Sequence, residues 1–195
     1  MSFFGFNSHA AASKPADGPS PDAVLAFWRE AGPARWFTTS SDFDNDFRRR
    51  FMTAHEAAVQ GLLMRWMGHA DSALALILLL DQFPRNCFRG TPRMYATDAQ
   101  ALLLAQKALG AGYDTLVEAD LRVFFYLPLM HDEHLNSQER CVALCASIGG
   151  IALKSAHEHY DIIQRFGRFP HRNTILGRPT RPEEQRFLDA GGFSG

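Results

Sequence analysis

Residues 72–82 read SALALILLLDQ, and their centre, Leu74 to Leu80, is the most apolar run of the chain. Asp71 and Asp81 bound the run, which is far shorter than the roughly twenty residues that a membrane-spanning helix needs. We therefore predict a helix from Ser72 to Gln82 that is apolar nearly all round and lies at the centre of the fold. Pro84 follows, and because the residue before a proline is biased away from the α conformation, we expect the helix to end there.

Helical spacing of apolar residues and capping signals predict further helices on both sides of this one. Ser20-Pro21 supplies an N-cap with proline at N1, and Gly32-Pro33 ends that helix. A single apolar stripe predicts a second helix over residues 42–60. More helices are expected at about 91–109, 123–127, 136–147, 151–166 and 180–188. Only Val123–Leu127 has a strand-like composition, and one strand cannot form a sheet. The sequence thus predicts an all-α fold of about eight helices in antiparallel pairs.

Length and composition bound the kind of protein. The chain has 195 residues, 46% of them hydrophobic, and a net charge of −1. We expect a mobile tail at residues 1–19 and a single helical domain at 20–195. A chain with no basic excess is not expected to bind nucleic acid or an anionic membrane. With no signal-peptide pattern and no disulfide framework among its three cysteines, it is predicted to be cytoplasmic.

Two stretches of the chain resemble each other. Residues 83–86 read FPRN and are followed by FRGTPR at 88–93, while residues 169–173 read FPHRN and are followed by LGRPTR at 176–181. Each has Phe-Pro, Arg-Asn, a bulky apolar residue and a turn that ends in arginine. The repetition predicts two equivalent loops that present positive charge and amide groups to an anion.

Arginine suits this role because its planar fork of donors matches a carboxylate or a phosphate. Helix N-termini at Thr91 and Thr180 would add backbone N–H groups and a positive dipole end. If the two loops face each other, they would clamp one small anionic molecule or a peptide carboxylate. The predicted ligand-binding residues are Arg85, Asn86, Arg89, Arg172, Asn173 and Arg178. In the alternative, these arginines are internal struts that bind helix carbonyls or acids such as Asp81 and Glu133.

Three residues are candidates for proton transfer. His131 and Glu133 could form a general acid–base pair, and His171 lies inside the second arginine motif. The histidines and carboxylates of residues 131–134 and 157–161 match no established zinc spacing, so no metal and no cofactor are predicted. Cys141 and Cys145 share a helix face and are interpreted as core residues, with a redox pair as the alternative.

Longer motifs carry a resemblance to a known family. LDQFPRN at 80–86 with FRGTP at 88–92 and ATD at 96–98, PLMH at 128–131, and RFGRFPHRN at 165–173 with LGR at 176–178 resemble the signature of the bacterial domain-of-unknown-function family 924. The resemblance covers residues 20 to 193, although Asp132 and His134 stand where Ser and Asp are expected. It implies an all-helical fold of the tetratricopeptide-like superfamily, and it implies no established activity or ligand.

Two functional hypotheses follow. In the first, the helical domain holds a pocket for a small anion, with His131, Glu133 or His171 nearest to any proton transfer. In the second, the domain is a tetratricopeptide-like module that binds other proteins, and its arginines are struts. The sequence leaves open whether the protein is an enzyme and how many copies assemble.

Overall fold

The architecture is described by a computed structural model over residues 20–193. The predicted tail at residues 1–19 lies outside these described residues. The α-helices are α1 (Pro21–Ala31), α2 (Pro33–Trp36), α3 (Ser41–Val59), α4 (Ala70–Leu80), α5 (Gln82–Cys87), α6 (Asp98–Gly110), α7 (Val123–Met130), α8 (Leu135–Cys145), α9 (Gly150–Phe166) and α10 (Pro182–Asp189). Short 3-10 turns lie at Met64–Gly68, Pro92–Tyr95, Tyr113–Leu116 and Pro170–Arg172. The part of the chain that is described contains no strand, so the all-α prediction is confirmed.

Helix α4 is the central element, as its composition predicted. All residues from Ala73 to Leu80 are at most 1% exposed. The helix contacts α1, α3, α5, α6 and α7, which surround it. A helix that is apolar on every side is stable in water only when neighbours cover every side. The sequential contacts α7 with α8 and α8 with α9 are consistent with the antiparallel, tetratricopeptide-like packing that was expected.

Aromatic side chains join the first three helices to this centre. The ring of Phe27 stacks on Phe43 and Phe47, each at a centroid distance of 5.1 Å. Trp28 is completely buried, and the indole N–H of Trp36 donates to its carbonyl oxygen at 2.7 Å. Large buried rings supply much of the apolar area that offsets chain entropy in a domain of this size.

The first arginine motif begins as a helix, and only its second half, from Phe88, is a turn. Helix α4 ends at Leu80, and α5 spans Gln82–Cys87 with Pro84 inside it. Proline is tolerated in the first turn of a helix because the N–H groups there have no intrahelical partner to lose. The second motif instead contains the 3-10 turn Pro170–Arg172. The expectations that Pro84 ends the central helix and that the two motifs form equivalent loops were therefore wrong.

Other boundaries also moved. The helix expected from Thr91 is divided into the 3-10 turn Pro92–Tyr95 and α6, which begins at Asp98. Helix α7 extends to Met130, three residues beyond the expected end, and residues 131–134 connect it to α8. The last helix, expected from residue 180, begins at Pro182, and a capping box forms at its start with the backbone N–H of Arg181 donating to Glu184 at 2.8 Å.

Membrane insertion is tested by helix length and polarity. Among the described helices, none combines the length and the hydropathy that crossing a bilayer requires.

Candidate functional site

The two arginine motifs meet at one carboxylate. Arg85, from the first motif, donates from both terminal nitrogens to Asp98, at 2.8 and 3.0 Å. Arg172, from the second motif, reaches the same carboxylate with Nη1 at 3.4 Å. Asp98 is the first residue of α6, and its side chain is 20% exposed. Two segments that are far apart in the sequence are thus brought together, as the first hypothesis required.

A buried aspartate lies directly behind this contact. Asp81, at the junction of α4 and α5, is 1% exposed and accepts from Gln82 Nε2 at 2.7 Å. Its other oxygen, Oδ1, lies 2.8 Å from His131 Nδ1 and 3.2 Å from Arg85 Nη1. Burial alone would raise the pKa of Asp81, but the charge of Arg85 and the contact with His131 hold this pKa well below its usual range. Asp81 is therefore ionised in the folded protein at any ordinary pH.

His131 is fixed by both its ring and its backbone. Burial and the neighbouring charge of Arg85 lower the pKa of His131, so the imidazole is neutral at pH 7. Since Asp81 accepts from Nδ1, the proton of the neutral ring lies on Nδ1 and the lone pair lies on Nε2. The backbone oxygen of His131 accepts from Arg172 Nη2 at 2.9 Å. We call Asp81, Arg85, Asp98, His131 and Arg172 the arginine–carboxylate cluster.

Arg172 has the least compensated charge of the cluster. It is 6% exposed, and its guanidinium carbon lies over the rings of Tyr95 and Phe169, at 4.7 and 4.5 Å from their centroids. Its Nε is buried and has no hydrogen-bond partner among the described residues. Burial and the proximity of Arg85 lower the pKa of Arg172, so its surroundings disfavour its charge.

The remaining members of the second motif form internal ties. Arg178 donates to both oxygens of Glu133, at 2.6 and 3.0 Å, and to Asn173 Oδ1 at 3.0 Å. Glu133 also accepts from the backbone N–H of Phe169 at 2.8 Å. Burial raises the pKa of Glu133, but the bond from Arg178 outweighs it and the pKa is lowered. Glu133 is therefore engaged by Arg178, and the carboxylate that orients His131 is Asp81.

The first motif repeats one of these ties. Arg89 donates to Asn86 Oδ1 at 2.7 Å, just as Arg178 donates to Asn173. Arg89 also donates from Nε to Asp44 at 2.9 Å. In both motifs the asparagine therefore accepts from the later arginine, which is a structural role. Of the four arginines expected to converge on one anion, only Arg85 and Arg172 share an acceptor.

Glu184 is a buried residue that the sequence did not single out as part of this region. It is 0% exposed and accepts from Arg168 at 2.7 and 2.8 Å, and from Asn173 Nδ2 at 3.1 Å. The hydrogen bonds from Arg168 outweigh burial and lower the pKa of Glu184 to about 2. Its position three residues after an N-cap was the available signal, because a capping-box carboxylate faces back toward the preceding loop.

His171 directly precedes Arg172 in the sequence. Its Nδ1 is buried and has no hydrogen-bond partner among the described residues. Burial and the charge of Arg172 lower the pKa of His171 to about 3. It is thus a neutral, half-buried ring at pH 7. Its ring packs at 5.7 Å from Phe169 and at 5.1 Å from Phe193.

Metal-ligating side chains do not cluster in the described part of the chain, where no group of three or more could hold an ion. Cys141 and Cys145 are both fully buried, and their sulfurs lie 3.9 Å apart on one face of α8. The pair packs within the hydrophobic core.

The fold and this region define an all-helical protein whose two arginine motifs meet at a buried arginine–carboxylate cluster. The chain belongs to the family described as bacterial protein of unknown function, DUF924, whose model matches residues 24–192. The resemblance carried by the motifs is therefore confirmed. A solved structure of a protein of unknown function from Agrobacterium tumefaciens, ATU0120, is 52% identical, with a TM-score of 0.86. The match covers 88% of this chain and 97% of that one. Among curated proteins, none matches the sequence.

Proposed function

We propose that the protein binds a small anion, a carboxylate or a phosphate, at the arginine–carboxylate cluster. The observation that carries the proposal is the state of Arg172. This guanidinium is buried and its Nε has no partner among the described residues. It also shares its acceptor, Asp98, with Arg85. Buried charges in proteins are normally paired and hydrogen-bonded, so a cation in this condition is a candidate for a ligand.

Three side chains at the rim of the cluster are partly exposed to solvent. The side chains of Arg85, Asp98 and His131 are 13%, 20% and 14% exposed. Tyr95 is half-buried, and its ring lies under both Arg85 and Arg172. Two guanidinium groups held by one ring and one carboxylate have little freedom to move. Such a rigid pair of forks binds a carboxylate or a phosphate with a small loss of side-chain entropy.

Replacing Arg172 by methionine tests this proposal directly. Methionine keeps a long apolar stem between the rings of Tyr95 and Phe169, so we expect the protein to remain folded. A ligand that binds only the folded state raises the melting temperature, by about 4 °C at ten times its Kd for a domain of this size. We expect at least one of acetate, succinate and phosphate to produce this shift in the wild-type protein, and none of them to do so in Arg172→Met.

The matched control is Arg168→Met. Arg168 lies in the same segment and is half-buried, and unlike Arg172 it contacts both oxygens of one carboxylate, that of Glu184. This variant should melt at a lower temperature and keep the full anion-induced shift. Anions that leave the wild-type melting temperature unchanged, or a shift that survives in Arg172→Met, would contradict the proposal.

A second candidate function is a tetratricopeptide-like module for protein partners, with the arginines as struts. The pairing of Arg85, Arg89 and Arg178 with Asp98, Asp44 and Glu133 favours it, because these forks already have acceptors. In this case Arg172→Met should either unfold the domain or leave the binding of the protein partner unaffected. A blank anion screen together with stoichiometric recovery of one protein partner would favour this alternative.

A further inference from the structure

The fixed charges of the arginine–carboxylate cluster cancel. Asp81 and Asp98 carry two negative charges, and Arg85 and Arg172 carry two positive ones. The fifth member, His131, is neutral at pH 7 because burial and Arg85 disfavour its protonated form. An anion that entered alone would therefore leave the cluster with one uncompensated negative charge. In a buried site such a charge is costly, so the anion needs a companion of opposite charge.

His131 is the group in the cluster that can supply this companion. The charged and titratable groups that face it are Asp81 from the α4–α5 junction, Arg85 from α5, Asp98 from α6, His159 from α9 and Arg172 from the turn after α9. The arginines are already protonated, and Asp81 is held ionised. Burial lowers the pKa of His159 to about 4, and its Nδ1 already lies against the backbone oxygen of Ser155 at 2.8 Å.

We infer, on the basis of the anion site proposed above, that the cluster takes up a small monoanion together with one proton, which His131 holds on Nε2. The Nδ1–H of the ring would remain on Asp81, so protonation needs no change in ring orientation. The new Nε2–H would donate a charge-assisted hydrogen bond to the anion. Charge balance also selects the ligand class. A monocarboxylate needs one proton, whereas a phosphate dianion would need two, and His131 can hold only one.

Calorimetric titration with acetate measures the proton directly. Titrations are run in imidazole and in bis-Tris, at the same pH and chloride concentration. Their heats differ by the number of protons taken from the buffer multiplied by the difference between the ionisation enthalpies of the two buffers. We expect uptake of about one proton per acetate near pH 6.5, and an affinity that falls up to about tenfold per pH unit as the pH rises to 8. Phosphate should bind more weakly than acetate at pH 8, where it is a dianion.

Two variants test whether His131 holds the proton, and a third variant is the control. His131→Gln keeps a donor toward Asp81 and removes the titration, so acetate should bind more weakly and with no pH dependence. Asp98→Asn leaves the cluster with one excess positive charge, so acetate should bind more tightly than to the wild type, without proton uptake. His159→Gln is the control for a neighbouring histidine, and its proton uptake should match the wild type.

The outcomes distinguish this inference from the proposed function. Acetate binding without proton uptake, or an unchanged pH slope in His131→Gln, would overturn the inference and leave the anion site in place. Failure of acetate to bind wild-type protein at every pH would overturn both. Proton uptake that disappears in His159→Gln and persists in His131→Gln would show that His159, and not His131, holds the proton, and would reject the inference.

Discussion

Replacing Asp81 by asparagine will lower the free energy of unfolding by about 3 kcal/mol, because it removes the negative member of a buried ion pair and leaves the positive one in place. Asp81 is 1% exposed. Its carboxylate accepts hydrogen bonds from Gln82 and His131 and forms an ion pair with Arg85. Asparagine can still accept one hydrogen bond, which places the loss at the low end of the range for broken buried pairs. Urea unfolding followed by far-ultraviolet circular dichroism at pH 7 gives the free energy from the midpoint and slope.

Asp46 provides the matched control for Asp81. It also pairs with two arginines, Arg49 and Arg50, at spacings of three and four residues, but the three side chains are between 30% and 73% exposed. Surface ion pairs of this kind contribute little because water and salt screen them. Asp46→Asn should therefore leave the urea midpoint almost unchanged. Equal midpoints for the two variants would show that the Asp81 contacts do not stabilise the fold.

The sequence predicted the elements whose signals are local. Helix α4 was predictable because an unbroken apolar run that is too short to cross a membrane can only lie at a protein's centre. The likeness of the two arginine motifs suggested that they lie close together, and Arg85 and Arg172 do donate to the same carboxylate, that of Asp98. The conformation of the first motif was not. The rule about prolines disfavours the α conformation at Phe83, yet packing of a 0% exposed Phe83 ring against Phe47 and Phe88 outweighs that local preference.

Long-range pairing was the part that the sequence could not supply. The chain has 21 acidic residues, and no local pattern states which of them meets a given arginine. Glu133 is only two positions from His131, so it was the natural partner in sequence, while Asp81 is fifty positions away. The end of α7 at Met130 determines which carboxylate pairs with His131. Because the helix ends there, Glu133 lies in the connection to α8, where Arg178 binds it. Pairing of this kind depends on where helices end, and those boundaries are the least determined by composition.

The buried histidines are expected to make the protein sensitive to mild acid. Burial lowers the pKa of His159 to about 4 and that of His171 to about 3, whereas both return to about 6.5 in the unfolded chain. Between these values the unfolded chain binds more protons than the folded protein, so stability falls as the pH falls. From pH 6.5 to 4.5 we expect a loss of about 2 kcal/mol per histidine, or about 4 kcal/mol for the pair. A domain of ordinary stability would lose a large share of its free energy of unfolding in this window.

Urea unfolding at pH 7.0 and 4.5 measures this loss, and the window keeps the histidines separate from the carboxylates. Asp and Glu side chains in the unfolded chain protonate mainly below about pH 4.5, so their contribution comes later in the titration. In the double variant His159→Gln with His171→Gln, the difference between the two pH values should fall by about 4 kcal/mol. The lowered pKa values of His55 and His131 account for part of the difference that remains. His157→Gln is the control, because His157 lies on the same helix as His159 but is exposed, and this variant should keep the wild-type difference. A wild-type protein that is equally stable at both pH values would show that these two rings gain a proton as easily inside the fold as in water.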